Sequence, residues 1–341
     1  MRDRDSSAIK SLIKSRYVRI TSVVALYWFV SITLTFVNQR ILSGNLTFTA
    51  PIFVTWFQCV VTVALLYMLQ AVFAIFPKLK IPGFPDCLEV KIPTLRQVLP
   101  LSMVFVLMIT SNSLCTKYLG VSFYCVGSPL SMAFNVLLTR LILGSKTSLG
   151  SLSCCAVMIV GFWLGVDPEL VFPMGFAKPL GNPDAEFYWG VFYGVTYTFF
   201  VAANAICTKK MLTVVEENIW QLSLYNCVNA SFLLLLPLIL INGEVQNVTS
   251  DEKYLLGLFW VKLFTSGMFG FAIGYVTILQ IQVTSPLTHS VSGVAKAAAQ
   301  TVLVTQYLAE NRDVVWWLSN ALVLCGSVGY TRTKQLEMGN N

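Results

Sequence analysis

Charged residues are scarce in this sequence. Only 11% of its 341 residues are Asp, Glu, Lys or Arg, against about 25% in soluble globular proteins. Hydrophobic residues reach 56%, and the mean hydropathy is +0.70. This composition excludes an ordinary soluble enzyme of one or two domains, and it predicts a chain that lies in a lipid bilayer.

Other absences argue against several classes of function. The one histidine, His289, argues against a histidine-ligated metal centre or a Ser-His-Asp triad. The sequence contains no P-loop, nucleophile elbow, metal-ligand cluster or Rossmann glycine pattern, so we predict no enzyme activity, no cofactor and no metal. The net charge of +7 comes without a basic patch interleaved with aromatic residues, which argues against nucleic-acid binding.

The cysteines and the N-terminus give no further motif. Of the nine cysteines, eight lie in or beside apolar stretches, and only Cys87 is clearly in a loop. Their spacing indicates neither a disulfide framework nor a metal site, so we interpret them as small apolar side chains. The N-terminal segment is polar and basic without a cleavable signal peptide, and the first span would serve as an uncleaved anchor.

The longest intervals without charge predict the membrane spans, because a charged side chain in lipid is costly. A helix needs about 20 apolar residues to cross the bilayer. The apolar stretch 254–309 is too long for one crossing, and polar residues and Pro286 interrupt it, so we divide it into helices at 257–279 and 286–308. The run 314–331 is the last span. The first seven spans lie within 20–39, 41–77, 97–116, 118–139, 147–166, 187–208 and 218–243. We therefore predict an all-α polytopic membrane protein with ten transmembrane helices.

The loop charges predict the orientation. With both termini in the cytosol, 16 of the 23 basic residues are cytosolic and six lie on the opposite side, as the positive-inside rule requires. The glycosylation sequons at Asn45 and Asn247 then fall in lumenal loops. The predicted segments are a cytosolic N-terminal segment 1–19, five-helix repeats at 20–166 and 187–332, a lumenal loop 167–186 and a cytosolic tail 333–341.

A faint internal repeat supports the count. A shift of 165 residues places the third, fourth and fifth spans on the eighth, ninth and tenth, and it aligns Val126 with Val291 and Asn135 with Gln300. Ten spans divide into five and five, and two halves of odd count insert in opposite orientations. This 5+5 inverted repeat is common in secondary transporters and predicts a binding site near the bilayer midplane.

Lys296 is the one charge well inside a predicted span. An ammonium at the bilayer centre costs about 2.5–3.5 kcal/mol on insertion scales. No acidic residue lies in any predicted span, so we expect its partner to be a ligand or water. Thr288, Ser292 and Lys296 share one helix face, and Gly293 lets a ligand approach the backbone. The hypothesis is a cation that faces a cavity and receives an anion; the alternative is a lysine paired only for packing.

Two other spans carry polar faces. The seventh has Tyr225 and Asn229 at helical spacing, with Asn226 beside them, and this set suits a nucleobase or a sugar. The fourth has Ser128 and Asn135, with Ser131 at the position that the repeat aligns with Lys296. Hydrogen bonding between helices is the alternative for each of these residues.

Several motifs carry a resemblance to a known family. The stretches are APIFVTWFQC (50–59), NVLL (135–138), GFWLGVD (161–167), residues 269–281 and TSPLTHSVSG.AKA.AQTVL (284–303). Over roughly 24–332 the sequence resembles the Golgi GDP-fucose transporters, a branch of the nucleotide-sugar and triose-phosphate transporter group in the drug/metabolite transporter superfamily. Residues 224–230 look like the family's Phe-Tyr-Asn-Asn segment, which contacts the guanine in related GDP-sugar carriers. Residues 292–296 look like its Gly-Ala-Leu-Asn-Lys segment, whose glycine and lysine contact the nucleotide sugar.

The resemblance implies ten helices, a multi-pass Golgi protein and antiport of cytosolic GDP-fucose against lumenal GMP. The partners of the protein would be these two substrates and the lipid bilayer, and a homodimer is possible under this resemblance. The sequence departs from the family at three positions: Cys227 replaces an asparagine, Ser128 replaces an arginine, and Gln39 replaces a lysine. With fewer cations, a different substrate is the alternative: another GDP- or UDP-sugar, or a phosphorylated metabolite.

Other classes fit less well. A multi-span receptor is the main alternative to a transporter, but the even span count, the repeat and the buried lysine argue against it. A membrane glycosyltransferase needs carboxylates near its cavity, and every Asp and Glu lies in a loop or at the end of a span. A channel is disfavoured because no ring of like charges or repeated pore loop is present.

Overall fold

The computed structural model describes residues 17–34, 51–79, 81, 83–119, 122–144, 147–165, 185–240, 257–307 and 314–340. Within these ranges the chain forms helices joined by turns, and no strand occurs. Both sequons, Gln39 and residues 167–184 of the predicted lumenal loop lie outside the described residues, and the last two residues of that loop, 185 and 186, are helical.

Long helices account for almost all of this structure. The first is α1 (Tyr17–Leu34), and a short 3-10 turn (Pro77–Leu79) follows the second. The remaining helices are α2 (Pro51–Ile75), α3 (Ile92–Leu119), α4 (Ser122–Ile142), α5 (Leu149–Gly165), α6 (Ala185–Val214), α7 (Ile219–Leu233), α8 (Leu235–Leu240), α9 (Gly257–Val283), α10 (Pro286–Tyr307) and α11 (Val314–Asn340). Pro237, which cannot donate to the carbonyl four residues earlier, accounts for the break between α7 and α8.

Seven of the described helical stretches are long and apolar enough to cross a membrane. They are α1, α2, α3, α6, α7 with α8, α9 and α11, and shorter apolar stretches lie in α4 and α5. Large apolar side chains point outward on these helices, as expected where lipid is the solvent; examples are Phe29, Phe232 and Val261. The protein is therefore an all-α polytopic membrane protein. Helix α10 is long enough but less apolar, because it carries Thr288, Ser292 and Lys296.

The helices extend past the charge-free intervals. Helix α3 begins at Ile92 rather than 97, α6 continues through Lys209 and Lys210 to Val214, and α11 runs to Asn340 through the predicted tail. Lys, Arg and Glu are good helix formers, so a helix continues into water where its charges begin. The predicted division of 254–309 is observed: α9 ends at Val283 and α10 begins at Pro286, a favourable first helical residue.

Close packing joins α5 to α11. A Cβ at Gly161 would lie 2.7 Å from Leu322 Cβ, and a Cβ at Gly326 would lie 2.6 Å from Met158 Cγ. Only glycine allows these helices to approach so closely, a device common between transmembrane helices. A buried cluster continues from this contact into α4 and α10, and it includes Met132, Leu287 and Val291.

Polar contacts join turns and helix ends that are far apart in sequence. Tyr17 Oη donates to the Gln335 carbonyl (2.7 Å), and Gln282 Nε2 donates to the Glu217 carbonyl (2.5 Å). Tyr225 Oη donates to the Glu89 carbonyl (2.9 Å). Each of these residues lies at or near the helix end that the sequence assigns to the cytosol, so those ends lie together.

The helices follow the predicted shift of 165 residues. Under this shift, residues 92–118 of α3 fall on 257–283 of α9, residues 122–142 of α4 fall on 287–307 of α10, and residues 149–165 of α5 fall on 314–330 of α11. The three helices before the middle of the chain and the three at its end therefore correspond in sequence position.

Candidate functional site

A cavity of about 330 Å³ lies between α1, the turn from α9 to α10, α10 and α11. On α1 it extends from Tyr17 to Trp28, which is about 16 Å at the 1.5 Å rise of an α-helix. Hydroxyl groups make up most of its polar lining: Tyr17, Thr21, Thr284, Ser285, Thr288, Ser292, Ser327, Tyr330 and Thr331. Such a lining offers many donors and acceptors to a polyhydroxylated ligand.

Lys296 lies just beyond the inner end of this cavity. It follows directly after Ala295 and one turn after Ser292, which both line the cavity. Its Nζ donates to Ser31 Oγ on α1 (2.5 Å) and lies 5.6 Å from the centre of the Tyr27 ring. Among the described residues, ion pairs involve Lys91 and Lys334 but not Lys296. A ligand or water as its partner stays a prediction; within the protein, Lys296 contacts a neutral hydroxyl and an aromatic face.

Helix α1 also contacts the rest of the predicted α10 face. Trp28 Nε1 donates to Ser292 Oγ (2.9 Å). The Tyr27 ring packs edge-on against His289 at 5.1 Å, and a Cβ at Gly293 would lie 3.9 Å from Tyr27 Oη. Ser292, Gly293 and Lys296 therefore all face α1.

Thr288 faces α11. Its hydroxyl lies 3.2 Å from Tyr330 Oη and 2.9 Å from Ser285 Oγ, within the cavity lining. All of these partners are hydroxyls, which can rotate and act as donors or acceptors. The hydrogen bonds of Thr288 can therefore rearrange around a ligand without breaking any backbone hydrogen bond.

The α4 residues have different surroundings. Asn135 is fully buried, and its Nδ2 donates to the Pro286 carbonyl (3.2 Å) and to Ser290 Oγ (2.7 Å). It therefore joins α4 to the start of α10 and does not line the cavity. Ser128 also lies on α4, but its side chain is outside the described part of the structure.

The α7 residues lie against α3 and the turn before it, apart from the cavity. Tyr225 is 1% exposed; its hydroxyl donates to the Glu89 carbonyl (2.9 Å) and accepts from the Lys91 amide (3.2 Å). Asn229 Nδ2 donates to the Leu95 carbonyl (3.0 Å). Direct contact of Tyr225 or Asn229 with a ligand would require these backbone hydrogen bonds to break, and it stays a prediction.

Asn226 differs from its two neighbours on α7. It is half-buried, and its Oδ1 accepts from Ser102 Oγ (2.9 Å), so the partner of its side chain is another side chain. Cys227, where the related motif has asparagine, packs in an apolar cluster with Cys59, Val106 and Ala230.

The structure thus places Thr288 and Ser292 in the cavity lining, with Gly293 and Lys296 beside it on the same helix, and it places the α7 face elsewhere. Trp28 and Ser31 were not among the predicted site residues. Tyr27 and Ser31 are spaced i, i+4, with Trp28 beside them, and this pattern in a largely apolar span was the available signal.

Comparison with known sequences identifies the family. The Triose-phosphate Transporter family matches residues 18–331. The chain belongs to this family. It is 47% identical to GDP-fucose transporter 1 of Nematostella vectensis, over 97% of this chain and 93% of that relative. It is 45% identical to GDP-fucose transporter 1 of Mus musculus, over 95% and 85%, and 42% identical to the Golgi GDP-fucose transporter of Drosophila melanogaster, over 95% and 92%.

A solved crystal structure shares the fold. It superposes with a TM-score of 0.61 at 12% identity, over 91% of this chain and 98% of the other. At this identity the likeness concerns the fold alone. The transporter group that the sequence motifs indicated is confirmed by the family match and by the near full-length relatives.

Proposed function

We propose that this protein is a nucleotide-sugar antiporter that imports GDP-fucose into the Golgi lumen in exchange for GMP. Relatives that share 42–47% of its residues over nearly their whole length carry the name GDP-fucose transporter. The observation that carries the proposal is Lys296: a cation at the middle of helix α10, held by neutral groups, beside a cavity whose polar lining consists mostly of hydroxyls.

Lys296 binds the phosphates in this proposal. Without substrate, its ammonium has a neutral hydroxyl as acceptor, Ser31 Oγ. A phosphate oxygen that replaces this hydroxyl gives a charge-assisted hydrogen bond worth about 1.5–3 kcal/mol. GDP-fucose and GMP are both anionic, so the same lysine serves both directions of exchange. Thr288, Ser292 and the backbone at Gly293 bind the groups attached to the phosphate.

The guanine is bound at the α7 face. Asn226 offers an amide that can donate and accept, and its Oδ1 is bonded to a hydroxyl that can rotate away. Tyr225 and Asn229 position this face by holding α7 against the backbone of α3 and of the turn before it. Asn135 and Ser128 on α4 complete the set: Asn135 positions the start of α10.

Ten spans in a 5+5 inverted repeat complete the proposal, with both termini cytosolic and the substrate site between the halves. Two observations support it. Under one shift in sequence, α3, α4 and α5 fall on α9, α10 and α11. The helix ends assigned to the cytosol also contact one another, as Tyr17 and Gln335 do. The cavity then opens at the cytosolic end.

Another GDP- or UDP-sugar, or a phosphorylated metabolite, is the second candidate substrate. Ser128, Cys227 and Gln39 favour it, because cations and an amide of the related motifs are missing at these positions. Both candidates share the phosphate site at Lys296, so the experiment must separate them by base and by sugar.

Counterflow in proteoliposomes tests the function. Purified protein is reconstituted with GMP inside, and the uptake of labelled GDP-fucose is compared with that of GDP-mannose, UDP-galactose and triose phosphate. We expect GDP-fucose uptake that needs internal GMP and that excess unlabelled GDP-fucose abolishes. Liposomes without protein and liposomes without internal GMP are the controls.

The panel also separates the alternatives. If a UDP-sugar or triose phosphate is exchanged faster than GDP-fucose, that compound is the substrate and the GDP-fucose assignment is wrong. Saturable binding without exchange of any nucleotide sugar would favour a receptor and contradict transport.

A further inference from the structure

We propose that Lys334 is a second cation of the transport path, one that binds the phosphates of the substrate at the cytosolic mouth of the cavity. This inference rests on the proposed function and deepens it. Among the described residues that line the cavity, Lys334 is the one with a charged side chain. It lies at the outer end, beside Tyr17 and Gln335, whereas Lys296 lies beyond the inner end.

The two lysines therefore mark the two ends of one path. On α1 the lining runs from Tyr17 to Trp28, and Ser31, the partner of Lys296, follows one turn later. On α11 it runs inward from Gln335 to Ser327. An anion that enters beside Lys334 passes the hydroxyls of Thr331, Tyr330 and Thr288 before it reaches Ser292 and Lys296.

The present partner of Lys334 leaves it able to bind an anion. Its Nζ contacts Glu337 Oε2 at 2.6 Å, one helix turn away, and both side chains are about one third exposed. An exposed ion pair of this kind contributes little net stability. The Glu337 carboxylate also accepts hydrogen bonds from Ser151 on α5 and from Ser148 just before that helix, so it stays bonded when Lys334 turns to another anion.

The charge of the proposed substrate indicates why a second cation is needed. A nucleoside diphosphate sugar carries about two negative charges, and Lys296 supplies one positive charge at the inner end. Lys334 supplies a second positive charge on the same path, at the step where the substrate enters from the cytosol.

The test uses sealed Golgi vesicles with the cytosolic face outward and the full chain as the transporter. The variant is Lys334→Gln, and Arg332→Gln is the matched control, because Arg332 is an exposed cation of the same helix that does not line the cavity. Two half-saturation constants are measured: that of external GDP-fucose with excess GMP inside, and that of internal GMP with excess GDP-fucose outside. Protein abundance is compared in the same vesicles.

We expect Lys334→Gln to raise the external half-saturation constant about fivefold to tenfold, with the internal constant and the maximal rate changed less than twofold. In the lumen-facing state the cytosolic mouth is closed, so Lys334 does not meet lumenal GMP. Lys334→Arg should restore the wild-type value. Glu337→Gln should leave the external constant unchanged or lower it, because it removes the anion that competes for Lys334.

The outcomes separate this inference from the function beneath it. Wild-type protein that exchanges no nucleotide sugar would overturn both. Normal exchange by the wild type, with Lys334→Gln equal to Arg332→Gln, would overturn only the role of Lys334. An equal rise of both half-saturation constants would do the same, since it would place the effect of Lys334 away from the cytosolic mouth.

Discussion

Two polar regions of this protein use similar side chains in different ways. Around α1, α10 and α11, three hydrogen bonds near Lys296 and Thr288 join one side chain to another: Trp28 to Ser292, Lys296 to Ser31, and Thr288 with Tyr330. Between α3 and α7, Tyr225 and Asn229 bond to backbone carbonyls and are nearly fully buried.

The difference separates binding from positioning. A hydrogen bond between two side chains can exchange one partner for a ligand, while a buried bond to backbone leaves an unsatisfied group when it breaks, at about 1–3 kcal/mol. The α10 region is therefore suited to bind and release substrate. The α7 region mainly holds its helix in place, and Asn226 is its exception.

The largest effect is expected at Lys296. Lys296→Ala should reduce exchange about ten- to 150-fold, because it removes a charge-assisted bond to the phosphate, worth about 1.5–3 kcal/mol, in both directions of the cycle. Abundance and insertion should be unchanged, since the change also removes the cost of a charge at the bilayer centre. The measurement is counterflow in proteoliposomes, normalised to reconstituted protein.

Lys296→Arg sharpens this prediction. The guanidinium is larger than an ammonium, and alanines surround the position, so partial activity at best is expected. If Lys296→Ala exchanges GDP-fucose at the normal rate, the phosphate is held elsewhere and Lys296 serves packing.

The second effect is on base selectivity. Asn226→Ala should weaken competition by GMP about ten- to a hundredfold and leave competition by UMP nearly unchanged, because one contact to the base costs about 1–3 kcal/mol. Competition by each nucleotide against labelled GDP-fucose measures the ratio.

Tyr225→Phe is the matched control on the same helix. Its hydroxyl bonds to the backbone at Glu89 and Lys91, so its loss should lower thermal stability and leave the ratio of GMP to UMP competition unchanged. An equal loss of GMP and UMP competition in Asn226→Ala would place the base elsewhere.

The smallest effect is expected at Ser31. Ser31→Ala removes the hydroxyl that occupies Lys296 without substrate, so the half-saturation constant of GDP-fucose should fall about threefold to tenfold. Tighter binding is the opposite of what loss of a substrate contact produces. A rise in this constant would show that Ser31 contacts the substrate directly.

The sequence predicted where the helices lie along the chain better than it predicted which helices contact each other. The charge-free intervals identified the helices because charge is excluded from lipid, and Pro286 with the polar residues before it marked the start of α10. The helices were predicted too short, since α6 and α11 continue through Lys209 and Lys334. The spacing that placed Ser292 and Lys296 on one face carried no information on which helix that face meets. The contacts with Trp28 and Ser31 of α1 needed the tertiary structure.

The central claim is that Lys296 binds the phosphate while α7 binds the base. It is tested most directly by the competition of GMP and of guanosine against labelled GDP-fucose, in wild-type protein and in a Lys296→Ala variant with enough residual binding to measure. Guanosine has the same base without the phosphate. We predict that the wild type prefers GMP strongly and that Lys296→Ala loses this preference while its affinity for guanosine is kept. A Lys296→Ala protein with the wild-type preference for GMP over guanosine would contradict the account.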